Sequence, residues 1–512
     1  MSDRRLAVID LGSNSFRLVV FTWGERGGHG WWRRTDEIHE PVRVGAGLDA
    51  AGELQPGPME RALETIELFA HFCRATGVDD VRPVATSAIR DATNRDAFLR
   101  DAAERSGLDI EVLSPEAEAH YGYLAAVNST TLADGVALDL GGGSLQLTHV
   151  GGRLALDARS WPLGAVRMTE RFLAGESVKR KQLKALRTHV TEQLAAAGWL
   201  ADAGPDGGRL TGIGGTVRNL AAAAELAADK PSFGVQGFQL EREALDALVE
   251  RFAELPPDER GEVPGIKPER ADLILAGALV IQTVMEVGGF GALEVTEAGL
   301  REGVFYSTLL EGRDPPLFED VRRDSVCNLA AQYRTDFAHV EHVARLALGT
   351  WDALADAGAH PADPRERELL WAAAMLHDIG TAVDYDDHHK HSRYLILNAG
   401  VPGYTTRETA LIGQIARYHR KGTPSLGPFE ALARDGDEAL VARGSALVRL
   451  GEQMERSRDQ AVHAVDVRVS DGKVDLRLEA DEDVTIACWA AQRQRELFED
   501  AFGRELSVSA AG

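Results

Sequence analysis

The chain has 512 residues, 44% hydrophobic and 27% charged, with a formal net charge of −24 and three cysteines. That length suits about three or four domains with ordinary cores. The acidic balance excludes general nucleic-acid binding, which needs a basic face to release counterions, and no apolar run approaches the roughly 18 residues of a membrane span. Cys73, Cys327 and Cys488 lie far apart without CxxC spacing, which argues against a disulfide framework and fits a reducing cytoplasm. The opening MSDRRLAVID runs into an apolar strand and carries no hydrophobic stretch of signal-peptide length.

In chain order, residues 6–20 read LAVIDLGSNSFRLVV: a strand ending in Asp10, a turn of small residues, and a second strand. A Gly-rich turn and a third strand near 30–38 follow, and then helices over 58–76 and 92–106. The pattern then repeats. Residues 135–149 read GVALDLGGGSLQLTH, placing Asp139, Gly141, Ser144 and Leu147 opposite Asp10, Gly12, Ser15 and Leu18, an offset of 129 residues. Gly151-Gly152 lead to a third strand over 153–160, with helices over 165–174 and 179–197. Strands followed by helices, twice, predict two related α/β lobes with a cleft between them.

Residues 209–224, RLTGIGGTVRNLAAAA, predict a strand, a Gly214-Gly215-Thr216 turn and a helix whose N-terminal amides suit an anion. Helices over 239–254 and 268–287 follow, and LEVTEAGLREGVFYSTLL (293–310) reads as a strand into a helix. EGRDPPLFE (311–319) reads as a linker. Residues 320–460 are mostly helical in periodicity. AVDVRVSDGKVDLRLEA is an alternating hairpin about Asp471-Gly472, and a final helix spans about 483–503.

Two small-residue turns at strand ends suit phosphate. Ser13, Asn14 and Ser15 offer amides and hydroxyls, and Gly141, Gly142, Gly143 and Ser144 allow close backbone approach. A plain tight turn would explain the glycines alone; their repetition after a strand-ending Asp favours the phosphate reading. Asp10 and Asp139 suit Mg²⁺, which takes few protein oxygens plus water and phosphate. A polyanion in so acidic a molecule needs a local cationic cleft. Arg17, Arg43, Arg90, Arg167, Arg218, Arg270 and Arg301 lie near the motifs and can build one.

Seven separated motifs, DLGSNS (10–15), ATSAIRDATN (85–94), EAEAHYGY (116–123), DLGGGS (139–144), GIGGTVRNLA (212–221), ERADLILAGA (269–278) and EAGLREG (297–303), occur in order. Over residues 5–310 the chain resembles the exopolyphosphatase/guanosine-pentaphosphate phosphohydrolase (Ppx/GppA) family. The resemblance implies a two-lobed actin/Hsp70/sugar-kinase-like (ribonuclease H-like) α/β core with lobes at 1–125 and 126–312. A mostly α-helical HD-like domain follows at 320–460, with a small hairpin-plus-helix element at 461–512. It implies a cytoplasmic hydrolase that removes terminal phosphate from polyphosphate or pppGpp with Mg²⁺, a monovalent cation also being admissible, and a homodimer formed through the tail. An ATPase or kinase on the same fold, or a non-catalytic polyphosphate or (p)ppGpp sensor, are the alternatives.

Carried onto this chain, the resemblance makes Glu118 the general base and Arg90 a phosphate clamp, with Arg17 in the first phosphate turn. Where the family commonly has Glu in GGGSxE, this chain has Gln146, a neutral amide that can orient water or donate to phosphate but binds Mg²⁺ weakly. In the tail, the spaced His, the His-Asp pair and the later acid of HD phosphohydrolases correspond to His342, His377-Asp378 and Glu452. His391 and His419 are further candidates for metal or polyphosphate. A third reading joins Lys390, His391, Arg393, His419, Arg420 and Lys421 into a cationic channel.

Overall fold

A computed structural model describes residues 3–48, 52–78, 80–175, 177–204, 207–470 and 472–511. The chain forms two compact units. The first runs to Gly24 and resumes over Trp32–Val321; the second comprises Glu25–Trp31 and Arg322–Gly512.

The first unit contains two mixed sheets of related topology. Strands β1 (Arg4–Leu11), β2 (Phe16–Arg26), β3 (His29–Glu40), β4 (Asp80–Ala85) and β5 (Glu111–Val112) lie in the order β3-β2-β1-β4-β5. The second sheet is built from β6 (Gly135–Leu140), β7 (Leu145–Gly151), β8 (Leu154–Trp161), β9 (Arg209–Ile213), β10 (Gln239–Glu241) and β11 (Ala292–Val295). Its order, β8-β7-β6-β9-β11, repeats the first, with β10 added at the edge. In each sheet an antiparallel meander feeds a parallel pair. The hairpins keep the same register: Asp10 faces Arg17, and Asp139 faces Gln146. Two sheets of the same strand order, each covered by helices, form the two-lobed actin-like architecture.

The strands are apolar on both faces because both faces are covered. Ala7, Ile9, Leu18 and Val20 of the first sheet pack with Ile66 and Phe69 of helix Pro56–Thr76 and Phe98 of helix Arg95–Ser106. Leu6, Val8, Val19 and Phe21 point the other way, against Val304 and Phe305 of helix Leu300–Leu309. That two-sided burial explains near-continuous apolar runs, as in buried parallel sheets. In the second lobe, helix Ile274–Gly288 has almost every residue buried and serves as a central post beneath the sheet.

The second unit has a helical body with a three-stranded sheet, β12 (Val462–Ser470), β13 (Lys473–Ala480) and β14 (Glu505–Ala510). Asp471 of the expected turn lies outside the described residues; Gly472 has φ +75°. The expected terminal helix divides into Thr485–Gln492 and Arg495–Phe502, and β14 then pairs parallel to β13. Val474, Leu476, Leu478, Phe498 and Leu506 share one core with the helices, so the terminal element is continuous with the helical body.

Candidate active site in the first unit

The ends of β1 and β6 bring the two small-residue turns face to face. Behind each turn, backbone amides occupy its carbonyls. Arg43 N–H donates to Asn14 O at 2.9 Å and Gly45 N–H to Ser13 O at 3.0 Å. Ala165 and Val166 at the start of helix Ala165–Phe172 donate to Gly141 O and Gly142 O at 3.0 and 2.9 Å. Engaging those lone pairs from behind removes acceptors that would repel an anion. Between the turns lies a cleft of about 130 Å³. Its lining includes Asp10, Ser13, Asn14, Ser15, Arg17, Glu118, Asp139, Gly141, Gly142, Ser144, Gly214 and Gly215.

Close approach of the turns depends on glycine. A Cβ on Gly143 would clash with the Ser87 hydroxyl and lie 2.9 Å from Ser13 Oγ, while one on Gly142 would lie 3.2 Å from Ser13 Cβ. Ser13 and Ser87 are themselves hydrogen-bonded, Oγ to Oγ, at 3.1 Å. Gly143 therefore joins the lobes and does not line the cleft.

Glu118 sits in the first turn of helix Pro115–Ser129, which Ser114 caps by accepting from Ala117 N–H. Its carboxylate is buried and held at both oxygens. Arg90 Nη1 donates to Oε2 at 2.8 Å and Ser144 Oγ to Oε1 at 3.3 Å. Burial raises its pKa, opposed by Arg90. Burial also raises Asp10, against Arg301 and Arg17. Asp139 is pushed up to about 7 by burial and by the negative charge of Glu118 and Asp10. Three crowded buried carboxylates, each with its pKa raised, fit a divalent cation, which would replace protons as counter-charge.

Cations line the same cleft. Arg218, Arg270 and Arg301 line the cleft with Arg17. Burial, then Arg301 and Arg17, lowers Arg218 to about 10; burial, then Arg17, lowers Arg270 to about 10. Gly215, at the start of helix Gly215–Ala227, has no side chain to collide with the Arg270 guanidinium. Glu37 is the main counter-charge, 3.1 Å from Arg17 and 3.6 Å from Arg301. The arginines thus repel one another around a space suited to phosphate oxygens.

Other expected site residues lie elsewhere. Arg90 does not line the cleft; it is spent on Glu118 and on Leu113 O at 2.9 Å. Gln146 is buried behind Ser144, donating to its Oγ at 2.9 Å and to Ser160 Oγ at 3.4 Å. Thr216 is buried beside Gly277. Arg43 pairs with Asp272 at 3.2 Å and Arg167 with Asp91 at 2.9 Å, both outside the cleft. The sequence reading missed Glu37, which no motif marks.

In the second unit, His342 turns away from His377 and instead meets Arg345 and, at 3.3 Å, Glu455. His339, one turn earlier on helix Phe337–Asp356, takes the expected place beside His377 and Glu452. His388 at the start of helix His388–Ala399 meets His419, whereas His391 on the same helix is not part of the cluster. Of the residues expected to form a cationic channel, His419 and Arg420 line one cavity. Lys390 and Lys421 converge on Asp387 at 2.6 and 2.8 Å, and Arg393 donates to Gln414 at 3.2 Å.

Residues 33–312 match the model of the Ppx/GppA phosphatase family, and residues 321–499 that of Ppx/GppA phosphatase, domain III. Among curated proteins, the chain is 29% identical to a guanosine-5'-triphosphate,3'-diphosphate pyrophosphatase of Vibrio vulnificus, over 85% of this chain and 84% of that one. It is 28% identical to a protein of the same description from Vibrio parahaemolyticus, over 93% and 92%. Among solved structures, the Aquifex aeolicus Ppx/GppA family member aligns with a TM-score of 0.51 at 28% identity, covering 60% of this chain and 99% of that one. An exopolyphosphatase from Cytophaga hutchinsonii aligns at 0.54 and 23%, covering 60% and 98%.

Proposed function

Since the chain belongs to the Ppx/GppA phosphatase family, we propose that it hydrolyses the terminal phosphoanhydride of pppGpp or inorganic polyphosphate in the cleft between its lobes. The observation that carries this is one cleft lined by three carboxylates, Asp10, Glu118 and Asp139, and four arginines, Arg17, Arg218, Arg270 and Arg301, together with a small-residue turn from each lobe. Phosphoryl transfer asks mainly for alignment and charge neutralisation. Four arginines in the lining are a poor match for a neutral or cationic substrate. The names of the Vibrio relatives, guanosine-5'-triphosphate,3'-diphosphate pyrophosphatases, support pppGpp as the first substrate to test.

In this reading Ser13, Asn14 and Ser15 hold one phosphate and Gly141, Gly142 and Ser144 the next. Asp10 and Asp139 would hold Mg²⁺, which when bound polarises phosphate oxygens and offsets their charge. Glu118 takes a proton from a water as the water oxygen bonds to the terminal phosphorus. The bridging P–O bond breaks, and the shortened substrate leaves with the electron pair, its negative charge met by the arginines. Arg90 is a positioning residue: it orients Glu118 and opposes the burial that raises its pKa. Ser144 holds the other oxygen.

The test is phosphate release from pppGpp, short polyphosphate and long-chain polyphosphate, each with and without Mg²⁺, compared by kcat/KM. Release without an acceptor supports hydrolysis. Tight binding with no release from any of the three would support a sensor and refute the hydrolase.

A further inference from the structure

We propose that Asp91, which lies outside the cleft, is a positioning residue for the hydrolysis: it grips Arg90 of its own lobe and Arg167 of the other, and through Arg90 it fixes the direction in which Glu118 points. The inference rests on the assignment of Glu118 as the base.

Asp91 is the last residue of the short helix Ser87–Asp91, which also carries Ser87 and Arg90. Its two oxygens take different partners. Oδ2 accepts from Arg167 Nη2 at 2.9 Å, and Oδ1 lies 3.6 Å from Arg90 Nε. Another nitrogen of the same Arg90 guanidinium, Nη1, donates to Glu118 Oε2 at 2.8 Å and to Leu113 O at 2.9 Å. A guanidinium is a rigid plane. Held at Nε by one carboxylate and at Nη1 by another carboxylate and a carbonyl, it cannot turn without losing a partner. Asp91 therefore sets where the Arg90 fork faces, and the fork sets where Glu118 Oε2 rests.

The contacts close into a ring that crosses between the lobes twice. Arg167 stands in the first turn of helix Ala165–Phe172, and its own amide, 3.3 Å from Gly142 O, joins Val166 N–H in holding the second small-residue turn. That turn ends in Ser144, which donates to Glu118 Oε1 at 3.3 Å. From Ser144 the path runs through Glu118, Arg90, Asp91 and Arg167 and back to Gly142. Gly143, inside the ring, leaves no room for a side chain beside Ser87 of the Asp91 helix. The base and the glycine turn are thus fixed relative to each other along two routes, one through a hydroxyl and one through charges of alternating sign.

As a brace for stability alone Asp91 is poorly placed. Its side chain is 40% exposed, against 14% for Arg90 and 17% for Arg167, and an ion pair at so exposed a carboxylate adds little to folding. What it supplies is direction, and its exposure allows the residue to be changed without disturbing the core.

The test uses the full-length chain with pppGpp and saturating Mg²⁺, kcat and KM being measured separately. A misplacement of about 1 Å costs up to about 100-fold in rate, so Asp91→Ala should lower kcat about 10-fold with KM within about twofold. Its melting temperature should stay within about 3 °C of wild type; if it falls further, Asp91→Asn, which keeps the shape, takes its place. Arg167→Gln should also lower kcat, and the double variant should be no slower than Asp91→Ala, because both changes break the same link. In a Glu118→Gln background, Asp91→Ala should change the residual kcat by less than about twofold, a result that a general loosening of the fold would not give. An Asp91→Ala kcat within about twofold of wild type overturns the inference and leaves Glu118 as the base, and so does an equal loss in the Glu118→Gln background. A raised KM with unchanged kcat makes the group a substrate contact and also overturns it. Wild-type turnover in Glu118→Gln overturns the base itself, and the inference with it.

Discussion

Glu118→Gln is the most direct probe of the first cleft. The substitution keeps the shape and removes only the ability to take a proton. The amide oxygen can still accept from Arg90, now 2.8 Å from Oε2, and the amide nitrogen can donate to Ser144 Oγ, now 3.3 Å from Oε1. Losing a buried charge opposite Arg90 costs stability, but the same change relieves the repulsion that helps raise Asp139. The two effects oppose, so the melting temperature should move by only a few degrees. Loss of a general base slows turnover by about 100- to 10,000-fold, equivalent to about 3–5 kcal/mol of barrier. The assay is phosphate release from pppGpp at saturating Mg²⁺, with kcat and KM measured separately and folding checked by circular dichroism. The expected result is a fall in kcat of at least about 100-fold with KM within about threefold. A folded variant with kcat within about threefold of wild type would refute the assignment of the base.

Arg90→Lys should lower kcat with little change in KM, and should move the acid limb of the pH–rate profile upward, because Arg90 holds the Glu118 pKa down; a rise in KM alone would make Arg90 a substrate contact. Gln146→Glu puts a fourth carboxylate opposite Asp139 in the β6–β7 register and should shift the Mg²⁺ titration midpoint, whereas an identical titration would separate position 146 from metal binding. Asp139 also predicts a pH dependence of stability. Its folded pKa, about 7, exceeds the ordinary value of 3.8, so between about pH 4 and 7 the folded state holds the proton more tightly. Its contribution is therefore present at low pH and lost as pH rises through about 7, amounting at most to roughly 4 kcal/mol. Thermal melts in chelator at pH 5 and 8 should show the wild type losing more stability on that rise than Asp139→Asn; parallel losses would contradict it. Gly143→Ala should raise KM and lower thermal stability by wedging the Ser13–Ser87 contact, as measured by steady-state kinetics and melting.

Much of this was legible in the sequence because the fold repeats itself. Alternation and paired glycines mark both meanders, and the strand-ending aspartates mark the cleft. The arginines were visible as residue types, but not their directions. Arg90 and Arg301 sit in equally suggestive motifs, yet one braces a carboxylate and the other lines the cleft. Their fates depend on long-range contacts, such as Glu37 on β3, that local pattern does not encode. In the tail, His339 and His342 lie three residues apart on one helix, about 60° around it. Spacing alone does not decide which faces His377. β14 was hidden because ELSVSA is short, with small and polar residues around Leu506 and Val508, and becomes a strand by pairing with β13. The break in the terminal helix carries neither Gly nor Pro.

The two oxygens of Glu118 report on different lobes. Arg90 comes from the first and Ser144 from the second. Any outward swing of the second lobe therefore strips one partner from the base while leaving the other in place. With Glu118 as the proposed base, that linkage would act as an interlock, leaving the carboxylate aligned only while both lobes hold it.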